Sequence, residues 1–272
     1  MSILKVDKEK CKKDGICKKE CPWDIIHLDT DDGYPALVEG GAELCITCGH
    51  CVAACPHDAM SHQDVPIDAS PLIQKELSVD IDQVEQFLRS RRSIRAFKDK
   101  PVEKETVQHL IEIARYAPTG ENAQAINWMV YTDPAEIKKL SEMVIDWMRH
   151  MLDKEPEKSE DYMADLFVEA WDAGLDEVLF NAPCLVIAQA EDEAVTAQQD
   201  CDIALTYFEL AAKAMGLGTC WNGILAMAVQ DWKPLKEAME LSNNYFYPMV
   251  LGYPKLKYHR LPERKKPNIT WK

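Results

Sequence analysis

No stretch of this chain is both long and apolar enough to cross a bilayer. Its longest apolar stretches, such as "APCLVIAQA" (182–190), fall far short of the about 20 residues that a spanning helix needs. The first ten residues, "MSILKVDKEK", lack the apolar core of a signal peptide. Positive charge is equally scarce, since 31 Lys and Arg stand against 46 Asp and Glu, a formal net charge of −15. That balance removes the basic footprint that nucleic acid or an anionic membrane surface would require. A soluble, cytoplasmic chain with no nucleic-acid or membrane partner is expected. There is no G-x-G-x-x-G fingerprint, and hence no dedicated Rossmann nicotinamide domain. No Ser–His–Asp or paired-carboxylate arrangement suggests hydrolysis.

Cysteine is what the chain has in excess. Seven of the ten lie between residues 11 and 55. In a chain read as cytoplasmic, such clustering points to metal or redox chemistry rather than disulfides. Cys184, Cys201 and Cys220 sit among apolar neighbours and read as small core residues. At 272 residues the chain has room for two domains.

Shifting "CKKDGICKKECP" (11–22) by 34 residues lays it on "CITCGHCVAACP" (45–56). Cys11, Cys17, Cys21 and Pro22 fall on Cys45, Cys51, Cys55 and Pro56, and Gly15 falls on Gly49. Asp14 falls on Cys48, and further on Asp24 matches Asp58. A short unit repeated in this way closes a small domain around cofactors. The second copy has the spacing C-x2-C-x2-C-x3-C-P, which sets three thiolates on one tight loop and sends the fourth elsewhere. Zinc also takes thiolates, but seven cysteines in a duplicated pattern suit no single four-ligand site. His50 and His57 flank the cysteines, and His27 and His62 lie nearby; with thiolates as ligands, the flanking pair reads as surface or supporting residues.

Residues 1–65 resemble a two-cluster, bacterial-type ferredoxin domain. The resemblance implies one [4Fe-4S] cluster on Cys45, Cys48 and Cys51 with Cys21. The other, [4Fe-4S] or [3Fe-4S], would lie on Cys11, Cys17 and Cys55, with Asp14 at the remaining corner. An Asp oxygen there would hold iron less firmly than a thiolate.

Residues 66–80, with two prolines and no period, read as a linker. Beyond it, "IDQVEQFLRS" reads as a short helix, and "VEKETVQHLIEIARYA" as a strong one with Val107, Leu110, Ile111 and Ala114 on one face. A strand is expected over 127–132, then a helix capped by Asp133 with Pro134 at its first position. A further helix runs through Trp171. A buried strand at 182–190, a long helix ending on glycine near 216–218, a helix over 228–240 and a strand at 245–253 complete an α+β pattern.

Two basic stretches interrupt the acidic background. "RSRRSIR" (89–95) holds four arginines, and residues 252–272 hold seven Lys and Arg against one acid. Guanidinium forks suit phosphate, although arginines at a helix end also complement its dipole. The ordered set "RRSIRAF", "APTGENAQ", "GLGTCWNG" and "GYP" resembles the nitroreductase family of FMN-dependent oxidoreductases, over residues 81–272.

That resemblance implies FMN at a homodimer interface, with the chemistry carried by the flavin. Arg91, Arg92, Ser93 and Arg95 would grip its phosphate and ribityl chain. "APTGENAQ" would contribute Pro118, Thr119 and Gly120, with Asn122 and Gln124 hydrogen-bonding the flavin. The backbone of Trp221, Asn222 and Gly223 would approach its ring. Arg264, or else Lys266, would close on the phosphate. Glu121 departs from the family pattern and reads as a solvated loop residue or a carboxylate near the substrate. The aromatic and Met-bearing segment 135–175 reads either as a cover over the flavin or as ordinary packing. Joined to the first domain, these features imply single electrons entering the clusters, passing to FMN and leaving to a nitroaromatic, quinone or activated alkene. Reduced ferredoxin or NAD(P)H would be the donor. Reductive dehalogenation, or electron supply to a partner protein, are the other readings.

Overall fold

The structure is a computed structural model that describes residues 2–28, 32–191, 194–241 and 243–272. The chain divides into two compact units, Met1–Val79 with Glu121–Ala123, and Asp80–Gly120 with Gln124–Lys272.

The first unit shows the 34-residue repeat in its backbone. Helix α1 (Ile16–Lys19) and helix α2 (His50–Ala53) are its two single-turn helices, each preceded by a left-handed glycine: Gly15 at φ 72° and Gly49 at φ 71°. Lys13 and Thr47 (φ 56° and 53°) and Asp24 and Asp58 (φ 49° and 50°) repeat the same hand at matching positions. Left-handed non-glycine residues cost about 1–2 kcal/mol each. Alternating hands, however, turn successive N–H groups toward one concavity, a geometry suited to anions and iron–sulfur groups. Strand β1 (Leu4–Val6) pairs antiparallel with β4 (Met60–His62), and β2 (Ile26–His27) with β3 (Ala36–Leu37). The core between them is small: Leu4, Cys17, Ile25, Ile26, Val52 and Met60.

The second unit is built on a four-stranded antiparallel sheet of order β5 (Ile126–Tyr131), β6 (Cys184–Ala190), β8 (Tyr245–Gly252) and β7 (Gly218–Trp221). The two middle strands are mostly apolar, with Gln189 the exception in β6, because both faces are covered along most of their length. Cys184, Val186 and Ala188 of β6 join Met249 and Leu251 of β8 in one core, with Leu110 and Ala114 of α4 (Lys104–Ala114) and Leu205 and Phe208 of α8 (Ala197–Ala214). Leu185, Ile187 and Val250 face the other core, with α5 (Pro134–Lys154) and α9 (Gly223–Asp231). Helix α3 (Ile81–Arg89) starts in a capping box of Asp80 and Gln83. Asp133 and Pro134 open α5 as expected, and Gly216 at φ 75° follows the end of α8.

The segment after α5 continues as α6 (Pro156–Asp161) and α7 (Ala164–Asp172). Trp147, Met148 and Met151 are wholly buried in the core, so these three are packing residues; Met163 is exposed. The Trp147 indole donates to Asp231 (2.7 Å), which also pairs with Lys158 (2.6 Å).

Thr219–Trp221 of "TCWNG" belong to β7, and α9 begins at Gly223. One expectation needs correction. The expected helix over 228–240 is two helices, α9 and α10 (Lys233–Ala238), separated by extended Trp232 because Pro234 cannot continue the hydrogen-bond ladder.

Edge strand β7 is covered by "RRSIRAF". Ser93 bridges Thr219, and the Ile94 N–H donates to the Thr219 carbonyl (2.8 Å). A Cβ on Gly218 would lie 2.5 Å from Ile94 Cγ1, so only glycine permits this approach. Gly218→Ala is expected to lower stability by about 1–3 kcal/mol, the usual cost of overpacking. A lower urea midpoint at unchanged slope would show it, whereas an unchanged midpoint would mean that the 91–97 segment yields freely.

Candidate cofactor sites

In the first unit the seven clustered cysteines separate into two groups. Cys21, Cys45, Cys48 and Cys51 line one cavity, together with Gly49 and His62. Cys11, Cys17 and Cys55 line another, with Asp14 and His57. Each cavity therefore takes three residues from one copy of the repeat and one cysteine from the other. Burial, followed by the neighbouring Cys48, Cys45 and Cys21, pushes the Cys51 thiol up to about 11. Burial also raises Cys17, helped by Cys11 and Cys55. Thiols crowded like this resist ionising unless a cation joins them, which is the donor chemistry a metal cluster satisfies. The sulfurs line cavities rather than meet at a point: among the described residues no three His, Cys, Asp or Glu side chains could hold a single ion.

Asp14 stands on its cavity with both oxygens engaged. Oδ1 accepts from the Ile16 N–H (3.1 Å), and Oδ2 faces His57 Nε2 at 3.2 Å. On the other side, His62 is buried and its Nε2 lies 3.7 Å from Cys45 Sγ.

In the second unit, Glu209 of α8 organises the arginine motif. This carboxylate is 5 % exposed. Oε1 accepts from Arg91 Nη1 (3.0 Å) and from the Thr219 hydroxyl (3.1 Å), while Oε2 accepts from the Trp221 indole N–H (3.2 Å). Two residues expected at the flavin are thus tied together by a third that sequence reasoning passed over. The one signal was an acid at i+4 from Leu205 on the buried face of an apolar helix. Burial pushes the nearby Cys220 thiol up, against the pull of Arg95, Ser93 and Arg91.

Arg91 and Arg92 stand between two cavities of about 460 Å³ and 450 Å³. Lys213, Gly218 and Lys257 line the first, and Arg89 and Arg264 the second. Arg95 lies over the Phe180 ring, 5.8 Å from its centroid. Lys266 is exposed and lines neither cavity. A convergence of guanidinium groups open to such space fits a phosphate-bearing cofactor.

The "APTGENAQ" loop carries three left-handed non-glycine residues, Glu121, Asn122 and Gln124. Such strain is a mark of functional loops. The Gly120 N–H donates to Thr196 Oγ1 (3.0 Å) and Asp200 Oδ1 (3.1 Å), and the Gln124 N–H donates to Thr119 Oγ1 (3.0 Å). Pro118 is exposed. Asp200 Oδ2 is buried with no partner among the described residues. Within the first unit, the Asn122 amide donates to the carbonyls of Ile46 (3.0 Å) and Thr47 (3.2 Å). Glu121 is exposed. The Asn222 side chain is taken up by structure: Oδ1 caps α9 at the Leu225 N–H (2.8 Å), and Nδ2 donates to the Val178 carbonyl (2.7 Å). Its backbone N–H goes to Pro248 (2.9 Å), leaving Gly223 at the start of α9.

Comparison with known proteins gives these sites a family. The nitroreductase family model matches residues 88–253, and a 4Fe-4S dicluster domain matches residues 3–64. The chain belongs to the nitroreductase family. It is similar to an NAD(P)H FMN reductase of Bacillus subtilis, 28% identical over 200 residues, covering 67% of this chain and 72% of that protein. Its first unit is similar to a 7Fe ferredoxin of Hydrogenibacillus schlegelii, 41% identical over 64 residues, covering 23% of this chain and 76% of that one. The fold resembles an FMN-bound nitroreductase of Bacteroides fragilis, with TM-score 0.54 and 22% identity over 69% of this chain and 98% of the other. Among the described residues, no helix of this member is long and apolar enough to cross a membrane.

Glu209→Gln removes the charge that Arg91 faces while keeping the side chain's shape. It is expected to cost about 1–3 kcal/mol, the range for a hydrogen bond to a charged group. Chemical denaturation monitored by far-ultraviolet circular dichroism checks this. Unaltered stability would show that Arg91 and Trp221 are held by other contacts.

Proposed function

We propose that this chain is an FMN-dependent oxidoreductase whose iron–sulfur unit delivers electrons for the reduction of a small organic acceptor, a nitroaromatic, quinone or activated alkene. The observation that carries the reading is the sorting of seven cysteines and Asp14 into two sets of four on separate cavities, in a chain that also bears the nitroreductase motifs. Cys45, Cys48, Cys51 and Cys21 would hold one cluster, and Cys11, Cys17, Cys55 and Asp14 the other. Arg91, Arg92 and Arg264 would hold the FMN phosphate. Ser93, Arg95, Gly120 and Gln124 would position the rest of the cofactor, with the backbone from Trp221 to Gly223 near its ring. When bound, FMN supplies the exchange between single electrons and electron pairs that clusters lack. Glu209 keeps Arg91 and Trp221 in fixed geometry, so the guanidinium is pre-set for phosphate rather than searching for it. A homodimer, as the resemblance implies, would complete the flavin site, and the donor would be reduced ferredoxin or NAD(P)H.

Purified without air, the protein is expected to contain about one FMN and about seven to eight irons per chain, the content of one four-iron cluster and a second that holds three or four irons. Separate anaerobic titrations with reduced ferredoxin, NADH and NADPH identify the donor by the loss of flavin absorbance. A zinc-containing protein without flavin would refute the proposal.

Asp14 gives a narrower test. Air exposure is expected to produce the electron paramagnetic resonance signal of a three-iron cluster, and Asp14→Cys to abolish it by restoring a thiolate. If no such signal forms and the variant behaves as wild type, Asp14 is only the turn residue that bonds Ile16.

A further inference from the structure

The two cavities of the first unit differ in a second way, which involves no ligand. His62 lies on β4, 3 % exposed, with its ring fixed at two points. The Asp64 backbone N–H donates to Nδ1 (3.0 Å), and Nε2 faces Cys45 Sγ (3.7 Å). A nitrogen that accepts a hydrogen bond carries no proton of its own, so the ring N–H that can face Cys45 is at Nε2. The Asp64 carboxylate, 4.0 Å from Nδ1, is too far to accept a hydrogen bond from it. Once Cys45 binds iron as a thiolate it has no proton to give, and Nε2–H must be the donor.

The repeat supplies the comparison. Moving His62 back by 34 residues gives Leu28, a hydrocarbon, whose Cδ1 stands 3.5 Å from where a Cβ on Gly15 would lie. One cysteine loop thus has a buried side-chain donor where its twin has none.

We infer that His62 is a positioning residue that raises the reduction potential of one cluster, the one on Cys45, Cys48, Cys51 and Cys21, relative to the other. The inference rests on the two-cluster reading above. Taking one electron from a one-electron reductant adds one negative charge to the cluster and its thiolates. An N–H donor on a ligand sulfur favours that more negative state. No bond to His62 forms or breaks, and no proton moves.

The test is a redox titration of the full-length holoprotein with dithionite, followed by electron paramagnetic resonance. His62→Leu copies the twin loop, and His62→Gln keeps an N–H donor. In His62→Leu one of the two reduction steps is expected to move to lower potential, and the other to stay. At the wild-type midpoint the reduced-to-oxidised ratio of the affected cluster falls several-fold, a tenfold fall being about 59 mV for a one-electron couple. His62→Gln recovers part of the shift. If neither step moves, or both move together, the inference fails. Wild-type protein labelled with 15N-histidine decides the case even where a variant loses iron. A histidine nitrogen coupling on one reduced cluster supports the contact, and its absence refutes it. Iron and sulfide analysis comes first, because a preparation without clusters overturns the two-cluster reading itself, whereas intact clusters without the coupling overturn only the role of His62.

Discussion

Sulfur packed against sulfur is the constraint on which the first unit depends. Its core is a handful of side chains, one of them Cys17. A unit this small buries too little apolar surface to be secure, and metal bonds commonly supply what is missing. Bringing four thiols to one cavity without a cation works against folding, because each buried thiol makes its neighbours harder to ionise. Burial first, and the neighbouring thiols after it, raise the Cys51 thiol. With iron present the same crowding becomes a ligand sphere, so folding and cluster assembly are one equilibrium. The left-handed backbone at Lys13, Thr47, Asp24 and Asp58 belongs to the same balance, as strain kept where the loops must curl around a centre.

The second unit solves a different problem, placing positive charge beside a sheet edge without losing the edge to solvent. The segment "RRSIRAF" covers β7 through backbone bonds, which leaves the arginine side chains free to project. Glu209 then holds one of them from the interior. A buried carboxylate is costly unless its lone pairs are met, and here Arg91, Thr219 and Trp221 meet them. The cost is offset by order: the guanidinium nearest the core has one position, while Arg92 and Arg264 remain at the cavities.

What could be read from the sequence was what local spacing dictates. The cysteine register, the capped start of α5 and the doubly buried β6 are each set by residues close together in the chain. The resemblance to a two-cluster ferredoxin, laid on that register, set Cys21 with the second cysteine loop and Cys55 with the first, and these are the cavities that the two residues line. The side-chain roles of Glu209, Asn222 and His62 were not legible, for the opposite reason. Their roles come from partners far off in sequence: Arg91 for Glu209, Val178 for Asn222 and Cys45 for His62. Strand β7 is four residues beginning with glycine, too short for a period to register, and the break at Trp232 depends on a proline that a mostly helical pattern conceals.

Duplication followed by divergence explains why the odd letter at Asp14 should not be read alone. Two equal clusters in one small unit would accept an electron with equal readiness and give it no direction. The copies differ at a ligand position, Asp14 against Cys48, and at a supporting position, Leu28 against His62. The first change places a hard oxygen, already bonded to Ile16 and facing His57, on a cavity whose twin is lined at that position by sulfur. The second places an N–H donor beside the twin's Cys45 and hydrocarbon at the equivalent place in the first copy. With clusters in place, both differences would bear on how each cavity tolerates added negative charge, while the backbone turns at Gly15 and Gly49 stay alike. A fold whose symmetry is kept by the glycines and broken by a few side chains can hold two centres of one architecture at two potentials.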